Sequence, residues 1–178
     1  SQRLDWTLAA NRLSQALAHH KPQYDLTASN PTKAGLHYPA EILDSFLHPE
    51  ALKYNPDARG IEEARAALRL GPHTLLSAST SEAYGWLFKL LCNPGDAILV
   101  PRPSYPLFEF LAKLESVEVI HYALQYAEGW WLDFESLEKQ LTPNTKAILF
   151  VHPNNPTGSY LKKAELERLA QLCAARNI

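Results

Sequence analysis

The second half of the chain alternates between short, nearly continuous apolar runs and stretches in which apolar residues recur at helical spacing. The apolar runs cover residues 75–78, 97–100, 117–122 and 147–151. The helical spacing, with an apolar residue every three or four positions, ends at Cys92 in the first stretch and continues at 105–114, at 134–141 and after Lys163. This alternation predicts an α/β fold, a mainly parallel sheet with helices on both faces.

The first 70 residues follow a different pattern. Leu and Ala recur at helical spacing between Leu4 and Leu17, which predicts an amphipathic N-terminal helix that stops at Pro22. Residues 22–59 contain five prolines and few periodic apolar positions, so we expect an ordered but largely irregular connector. A short helix rich in Glu and Ala is predicted between Gly60 and Leu70.

Composition narrows the class of protein. The 178 residues, 46% of them hydrophobic, suffice for one ordinary core. A net charge of −2 without a basic run argues against nucleic acid or an anionic membrane as a partner. Cys92 and Cys173 lie far apart among Leu and Ala, which favours buried thiols in a reducing compartment. No apolar run is long enough for a signal core or a membrane span, so a cytoplasmic location is expected.

Polar and aromatic residues follow three of the predicted strands. Ligands of open α/β sheets bind beyond the carboxyl ends of the strands, so these residues are the candidates for a site. The three segments are 79–81, 101–105 and 152–158. Motifs of other chemistries, such as G-x-x-x-x-G-K-[ST], G-x-G-x-x-G, G-x-S-x-G and H-E-x-x-H, do not occur, and no metal site is expected.

The segment Ser77-Ala-Ser-Thr-Ser-Glu82 has three hydroxyl side chains at the start of a predicted helix after Ala78. Free N–H groups and the helix dipole favour an anion there, and hydroxyls add donors for phosphate oxygens. The alternative is a capping box formed by Ser79 and Glu82, which needs no ligand. Taken alone, the capping box is the more frequent explanation of such a segment.

The other two segments combine a rigid backbone with one exposed functional group. Tyr105 lies between Pro103 and Pro106, so its ring either stacks on a planar heterocycle or fills the core. In Asn155-Pro-Thr-Gly158, proline and glycine fix a turn that can aim an amide, although a plain turn is the alternative. A phosphate cradle, a stacking ring and a polar donor at equivalent strand ends together favour a ligand site.

These residues resemble the pyridoxal-phosphate-dependent aminotransferases of class I/II, fold type I. The motifs, in family order, are DLTASNPT at 25–32, YNPDARG at 54–60, SASTSEAY at 77–84, NPGDAILVPRPSYP at 93–106 and NPTG at 155–158. The resemblance implies pyridoxal 5'-phosphate as cofactor, amino acid and 2-oxo acid substrates, and a homodimer. It further implies that residues 1–59 are part of the small domain and dimer arm. Residues 60–178 would then be the first part of the cofactor-binding large domain.

The resemblance also implies roles for single residues. Thr80 and Ser81, with Ser79 before them, would hold the cofactor phosphate. Tyr105 would stack on the pyridine ring, and Asn155 would hydrogen-bond its phenolic oxygen.

Further roles follow from the resemblance. Tyr54 would reach the phosphate in the neighbouring subunit, and Ser29 occupies the place of a family glycine whose backbone meets the substrate carboxylate. The Schiff-base lysine of the family would lie beyond Ile178, so the chain is expected to be an N-terminal part that is inactive alone. Between Arg65 and Ser77 the chain is shorter than the family pattern requires, so the strand there is expected to begin irregularly or to lack a segment.

Two alternatives to amino transfer stay open at this point. One is a pyridoxal-phosphate-dependent lyase or decarboxylase on the same fold. The other is a non-catalytic α/β module that binds a phosphorylated ligand or a protein partner.

Overall fold

The structure, a computed structural model, describes residues 9–20, 23–24 and 29–178. The chain divides into two compact units, and the division falls between Leu76 and Ser77. The predicted division after residue 59 concerns the domains of the family's complete enzymes and stays a prediction.

The unit before Ser77 is built from short helices. Its described elements are helix α1 (Arg12–His19), two 3-10 helices (Ala40–Leu47 and Pro49–Leu52) and helix α2 (Glu62–Leu68). Asn11 caps α1, because its Oδ1 accepts a 2.8 Å hydrogen bond from the N–H of Ser14. The predicted N-terminal helix is thus present from Arg12 on, whereas residues 1–8 lie outside the described residues. The connector is less irregular than expected, since it contains the two 3-10 helices.

Gly60 lies closer to another part of the chain than the other described glycines of this unit, Gly35 and Gly71. Its φ is +88°, and a Cβ atom added there would lie 2.7 Å from Cβ of Leu76. The close approach arises because the N–H of Leu76 donates a 2.9 Å hydrogen bond to the carbonyl oxygen of Arg59. Arg65 fixes the same turn, with Nε 2.9 Å from the carbonyl oxygen of Gly60 and Nη2 3.1 Å from Oδ2 of Asp57.

The unit after Leu76 contains a mainly parallel sheet. Its strands are β1 (Ala97–Arg102), β2 (Glu118–Tyr126), β3 (Trp130–Leu132) and β4 (Thr145–Ile148). The strand order is β3-β2-β1-β4, with β1 parallel to both β2 and β4 and only the β2–β3 pair antiparallel. The predicted parallel sheet is therefore confirmed for three of the four predicted strands.

Two details of the sheet differ from the prediction. Residues 75–78 form no strand, because the N–H of Leu76 bonds to Arg59 of its own unit and Leu75 is exposed. Strand β3, which the sequence did not predict, forms a hairpin with the end of β2.

Helices cover both faces of the sheet, as predicted. They are α3 (Thr80–Leu91), α4 (Leu107–Leu114), α5 (Phe134–Gln140) and α6 (Lys163–Arg176). Alternate residues of a strand face opposite sides, so Ile98 and Val100 pack with α3 and α4 while Leu99 packs with α5 and α6. None of the helices in the described part of the chain has the length and apolarity needed to cross a membrane.

One carboxylate connects the outer strand of the hairpin to the last helix. Oε1 of Glu165 accepts a 2.8 Å hydrogen bond from the N–H of Leu132 in β3. Its Oε2 accepts another 2.8 Å hydrogen bond from the N–H of Lys162, at the start of α6. Glu165 therefore satisfies a backbone donor on the edge of the sheet and one at the helix start.

Candidate functional site

Asn154 joins the loop after β1 to the loop that follows β4. Its side chain is buried, with Nδ2 donating hydrogen bonds of 3.2 Å to the carbonyl oxygen of Pro103 and 2.8 Å to Oγ1 of Thr157. The hydroxyl of Ser104 lies 3.4 Å from Oδ1 of Asn154, a long and weak contact. Tyr105 and Asn155, which follow Ser104 and Asn154 directly, therefore belong to loops that are in direct contact.

The turn that contains Asn155 is closed by hydrogen bonds at its base. The N–H of Gly158 donates to the carbonyl oxygen of Asn154 at 2.7 Å, and the N–H of Asn154 donates to the carbonyl oxygen of Ser159 at 2.8 Å. Asn155 is exposed, and within residues 29–178 and the earlier described stretches its side-chain amide has no hydrogen-bond partner. A fixed turn thus presents an amide that is available to a ligand.

Tyr105 packs against one aromatic neighbour and is partly exposed. Its ring meets the ring of Phe108 edge to face, with 6.0 Å between the centroids. Phe108 in turn meets Tyr84 of α3 edge to face at 5.0 Å. Tyr105 is still 42% exposed, which favours a ring that receives a ligand over one that fills the core. The two ring contacts connect helix α3 to the Tyr105 loop.

Ser79 caps helix α3, as the capping-box alternative predicted. Its Oγ accepts a 3.2 Å hydrogen bond from the N–H of Glu82, and Oε2 of Glu82 accepts a 2.6 Å hydrogen bond from the N–H of Ala78. The hydroxyl of Ser79 is therefore already engaged as an acceptor. Its predicted part in holding a phosphate is limited to the remaining O–H donor.

Thr80 and Ser81 leave the first turn of α3 open. Among the described residues, neither their hydroxyls nor their backbone N–H groups have a hydrogen-bond partner. Four donors without partners, at the positive end of a twelve-residue helix, form a suitable position for an anion. This arrangement is compatible with both explanations of the segment, since Ser79 caps the helix while the donors of Thr80 and Ser81 remain available.

Ser29 and Tyr54 lie in the other unit, before Ser77. Both residues are exposed, Tyr54 to 93%. Their roles in binding substrate and cofactor stay predictions.

The sequence did not indicate a polar pair beside Tyr105. Nε2 of His121 in β2 lies 2.8 Å from Oε1 of Glu109 in α4. Both side chains line a cavity of about 290 Å³ that Tyr105 also borders. Nothing in the local spacing joins a strand residue to a residue of the preceding helix, so only the tertiary structure reveals this pair.

Asn154 is the site residue whose role the sequence did not indicate. The only local signal was the doublet Asn154-Asn155, in which two identical side chains have different environments. Asn154 is 5% exposed and its Nδ2 donates two hydrogen bonds, whereas Asn155 is exposed and without a partner in the described part of the chain.

The fold and the strand-end loops are those of an α/β enzyme domain whose ligands bind at the carboxyl edge of the sheet. Residues 40–178 match the sequence model of the family "Aminotransferase class I and II". The chain belongs to this family.

Named relatives and solved structures agree with this assignment. The chain is 29% identical over 166 residues to the glutamate-pyruvate aminotransferase AlaA of Escherichia coli K12, covering 86% of this chain and 41% of that protein. An alanine aminotransferase from Pyrococcus furiosus superposes with a TM-score of 0.70 at 30% identity, over 84% of this chain and 41% of that one.

A third relative is cystalysin from Treponema denticola, whose structure contains a pyridoxal 5'-phosphate cofactor. It superposes with a TM-score of 0.52 at 30% identity, over 56% of this chain and 26% of that one. The chain spans 41% of the length of the curated relative AlaA, about two fifths.

Proposed function

We propose that the full-length protein is an aminotransferase that moves an amino group between an amino acid and a 2-oxo acid, with pyridoxal 5'-phosphate as cofactor. The observation that carries the proposal is the match of residues 40–178 to the class I and II aminotransferase family. The cofactor in the related cystalysin structure supports the same choice of cofactor.

The described residues fit this cofactor. A phosphate needs several donors in one place, and the first turn of α3 offers two N–H groups and two hydroxyls without partners in the described part of the chain. A flat ring needs an aromatic face, and Tyr105 is partly exposed. A phenolic oxygen needs a donor, and the amide of Asn155 is exposed on a closed turn.

The bound cofactor would supply the electron withdrawal that loosens bonds at the α-carbon of the amino acid, and the protein supplies binding and electrostatics. Thr80 and Ser81 donate hydrogen bonds to the phosphate, with the positive end of α3 behind them. Tyr105 covers one face of the ring and excludes water from it. Asn155 donates Nδ2–H to the phenolic oxygen and so stabilises its ionised form.

Three finer points belong to the same proposal. The protein is a homodimer with shared sites, in which Tyr54 of one subunit donates to the phosphate held by the other. The exposed phenol of Tyr54, without a partner among the described residues, supports this use. The backbone at Ser29 meets the substrate carboxylate. The protein acts in the cytoplasm, as its cysteine usage suggests.

The names of the relatives supply the first substrates to test. AlaA is a glutamate-pyruvate aminotransferase, and the Pyrococcus protein is an alanine aminotransferase. We therefore propose alanine and glutamate, with their 2-oxo acids, as the first pair for the full-length protein.

The test uses full-length protein saturated with pyridoxal 5'-phosphate and separates three outcomes. With amino acid alone, an aminotransferase forms one equivalent of 2-oxo acid per site and then stops, and turnover resumes when an acceptor 2-oxo acid is added. Continued release of ammonia without an acceptor would instead indicate a lyase. Equal weak binding of pyridoxal phosphate, inorganic phosphate and a nucleotide, without any product, would indicate a non-catalytic module and overturn the proposal.

A further inference from the structure

We propose that Asn154 is a positioning residue that sets the direction of the Asn155 amide and holds the Tyr105 loop against it. The inference rests on the proposed function, in which Asn155 and Tyr105 bind the cofactor. Asn154 is adjacent to Asn155 in sequence, and its side chain bonds to the carbonyl oxygen of Pro103, two residues before Tyr105. One buried side chain thus connects the two loops that contain the groups that the cofactor ring would contact.

Burial makes these hydrogen bonds significant. Asn154 and Thr145 are the buried polar residues of the described chain, and Asn154 is 5% exposed. Its Nδ2 donates to Pro103 and Thr157, and its main chain bonds to Gly158 and Ser159. Removing the side chain would leave the carbonyl oxygen of Pro103, in a partly buried position, without the donor that the structure gives it.

The geometry also explains how Asn154 acts through its neighbour. The main-chain bonds of Asn154 close the base of the turn, and its Nδ2 fixes Oγ1 of Thr157 on the far side of the turn. Asn155 lies between these fixed points and makes no hydrogen bond of its own within the described residues. The main chain at Asn155, from which the amide projects, is therefore positioned by the bonds of Asn154 rather than by contacts of Asn155. A hydrogen bond weakens steeply when its angle departs from linearity, so a small rotation of the turn would weaken the bond to the phenolic oxygen.

The first measurement is the pH titration of the absorption spectrum of bound pyridoxal phosphate in full-length protein. Asn155→Ala should raise the midpoint by about one pH unit or more, because it removes a hydrogen bond to an ionised oxygen. Asn154→Ala should raise the midpoint in the same direction by a smaller amount, although it does not touch the cofactor. The double variant should show no more than the shift of Asn155→Ala alone, since both changes act through one bond.

One control variant and one second test variant accompany this titration. Asn144→Ala removes an exposed asparagine at the opposite end of β4 and should leave the midpoint unchanged. Thr157→Val keeps Asn154 but removes Oγ1 of Thr157, which accepts from Asn154 Nδ2 and also bonds to Ser159. This variant should give a smaller shift in the same direction even if Asn154→Ala folds poorly. A purely structural role would lower the melting temperature of the Asn154 and Thr157 variants without moving the midpoint, and that result would overturn the inference.

The second measurement does not depend on the cofactor. Hydrogen exchange of unliganded full-length Asn154→Ala, or of Thr157→Val, should accelerate in peptides covering 104–107 and 156–159 and stay unchanged in β2. If the unaltered protein fails to retain pyridoxal phosphate, the proposed function fails, and this exchange pattern still decides whether Asn154 connects the two loops. Unchanged exchange in both loops, or uniform acceleration throughout the protein, would refute the connection.

Discussion

The phenol oxygen of Tyr122 lies 2.9 Å from the carbonyl oxygen of Leu149 and donates a hydrogen bond to it. Tyr122 belongs to β2 and is 1% exposed, while Leu149 directly follows β4. Burial raises the pKa of Tyr122, so the phenol stays protonated and remains a donor. The bond ties the segment that leads to the Asn155 turn to a strand that is not its neighbour in the sheet.

Tyr122→Phe should therefore destabilise the protein although it keeps the ring. The partly buried carbonyl oxygen of Leu149 loses this donor, and a hydrogen bond of this kind contributes about 0.5–1.5 kcal/mol to the stability. The unfolding midpoint in guanidinium measures the loss. Tyr126→Phe is the matched control, because Tyr126 ends the same strand but is 68% exposed. Equal small effects of both changes would show that the Tyr122 hydrogen bond contributes little.

A side chain at Gly60 should destabilise the unit before Ser77. Gly60→Ala places a Cβ atom at a φ of +88° and 2.7 Å from Cβ of Leu76. Gly71→Ala is the control, since Gly71 has a φ of +92° with nothing within 4 Å of the added atom. Both variants should lose about 1–2 kcal/mol of stability, because alanine is disfavoured in the left-handed backbone conformation. Gly60→Ala should lose more, because its Cβ atom also clashes with Leu76. Thermal unfolding of the two proteins makes the comparison, and equal losses would contradict the close approach.

Stability should fall in acid partly through Asp133, the cap of α5. The N–H of Ser136 and the side chain of Gln125 donate hydrogen bonds to its carboxylate, so the pKa of Asp133 is lower in the folded protein. The contribution of Asp133 to the stability of the fold is therefore complete above its pKa in the unfolded chain, about 3.9. It is lost as the pH falls through the lower pKa of the folded protein.

Asp133→Asn tests this pH dependence, because asparagine also caps helices but does not titrate. The variant should show a shallower loss of stability between pH 5 and pH 3, measured by denaturant unfolding at each pH. Identical slopes for the two proteins would mean that Asp133 does not contribute.

Tyr105→Leu should weaken cofactor binding without the spectral shift expected of Asn155→Ala. The change removes stacking area rather than a hydrogen bond to the phenolic oxygen, so the dissociation constant should rise on the order of tenfold. Equilibrium dialysis of pyridoxal phosphate measures the affinity, and a pH titration of the spectrum measures the midpoint. Tyr105→Phe keeps the ring and should retain most of the affinity. If Tyr105→Phe lost as much affinity as Tyr105→Leu, the effect would be due to the hydroxyl and not to the ring.

The sequence predicted well those helices and strands whose own residues carry a full hydrophobic pattern. The run Ala97-Ile-Leu-Val100 is buried on both faces, and the structure contains it as β1. Residues 75–78 have a similar apolar start, but no strand among residues 9–20, 23–24 and 29–178 pairs with them, and Leu76 bonds to Arg59 instead. Strand β3 has only three residues and depends on its hairpin partner, so its own residues gave too short a pattern.

The candidate site shows the same limit. Tyr105 and Asn155 could be selected because prolines and glycine mark rigid loops within a few residues of them. The connection through Asn154 could not, since its partners Pro103 and Ser104 lie 51 and 50 residues away along the chain. The sequence also could not show that Ser79 caps α3 while Thr80 has no partner among the described residues, because this difference depends on atomic positions.

The hydrogen bond from the N–H of Leu132 to Glu165 protects the β3 edge of the sheet, so that an additional strand can pair more easily at the β4 edge. An incoming strand that approached β3 would have to displace a carboxylate that also caps α6, and would find only three residues to pair with. The other edge differs, because β4 pairs with β1 alone among the described strands and Glu165 is not there to block it. Any further strand of the full-length protein that extends this sheet is therefore directed to the side of β4, beside the loop that contains Asn154 and Asn155.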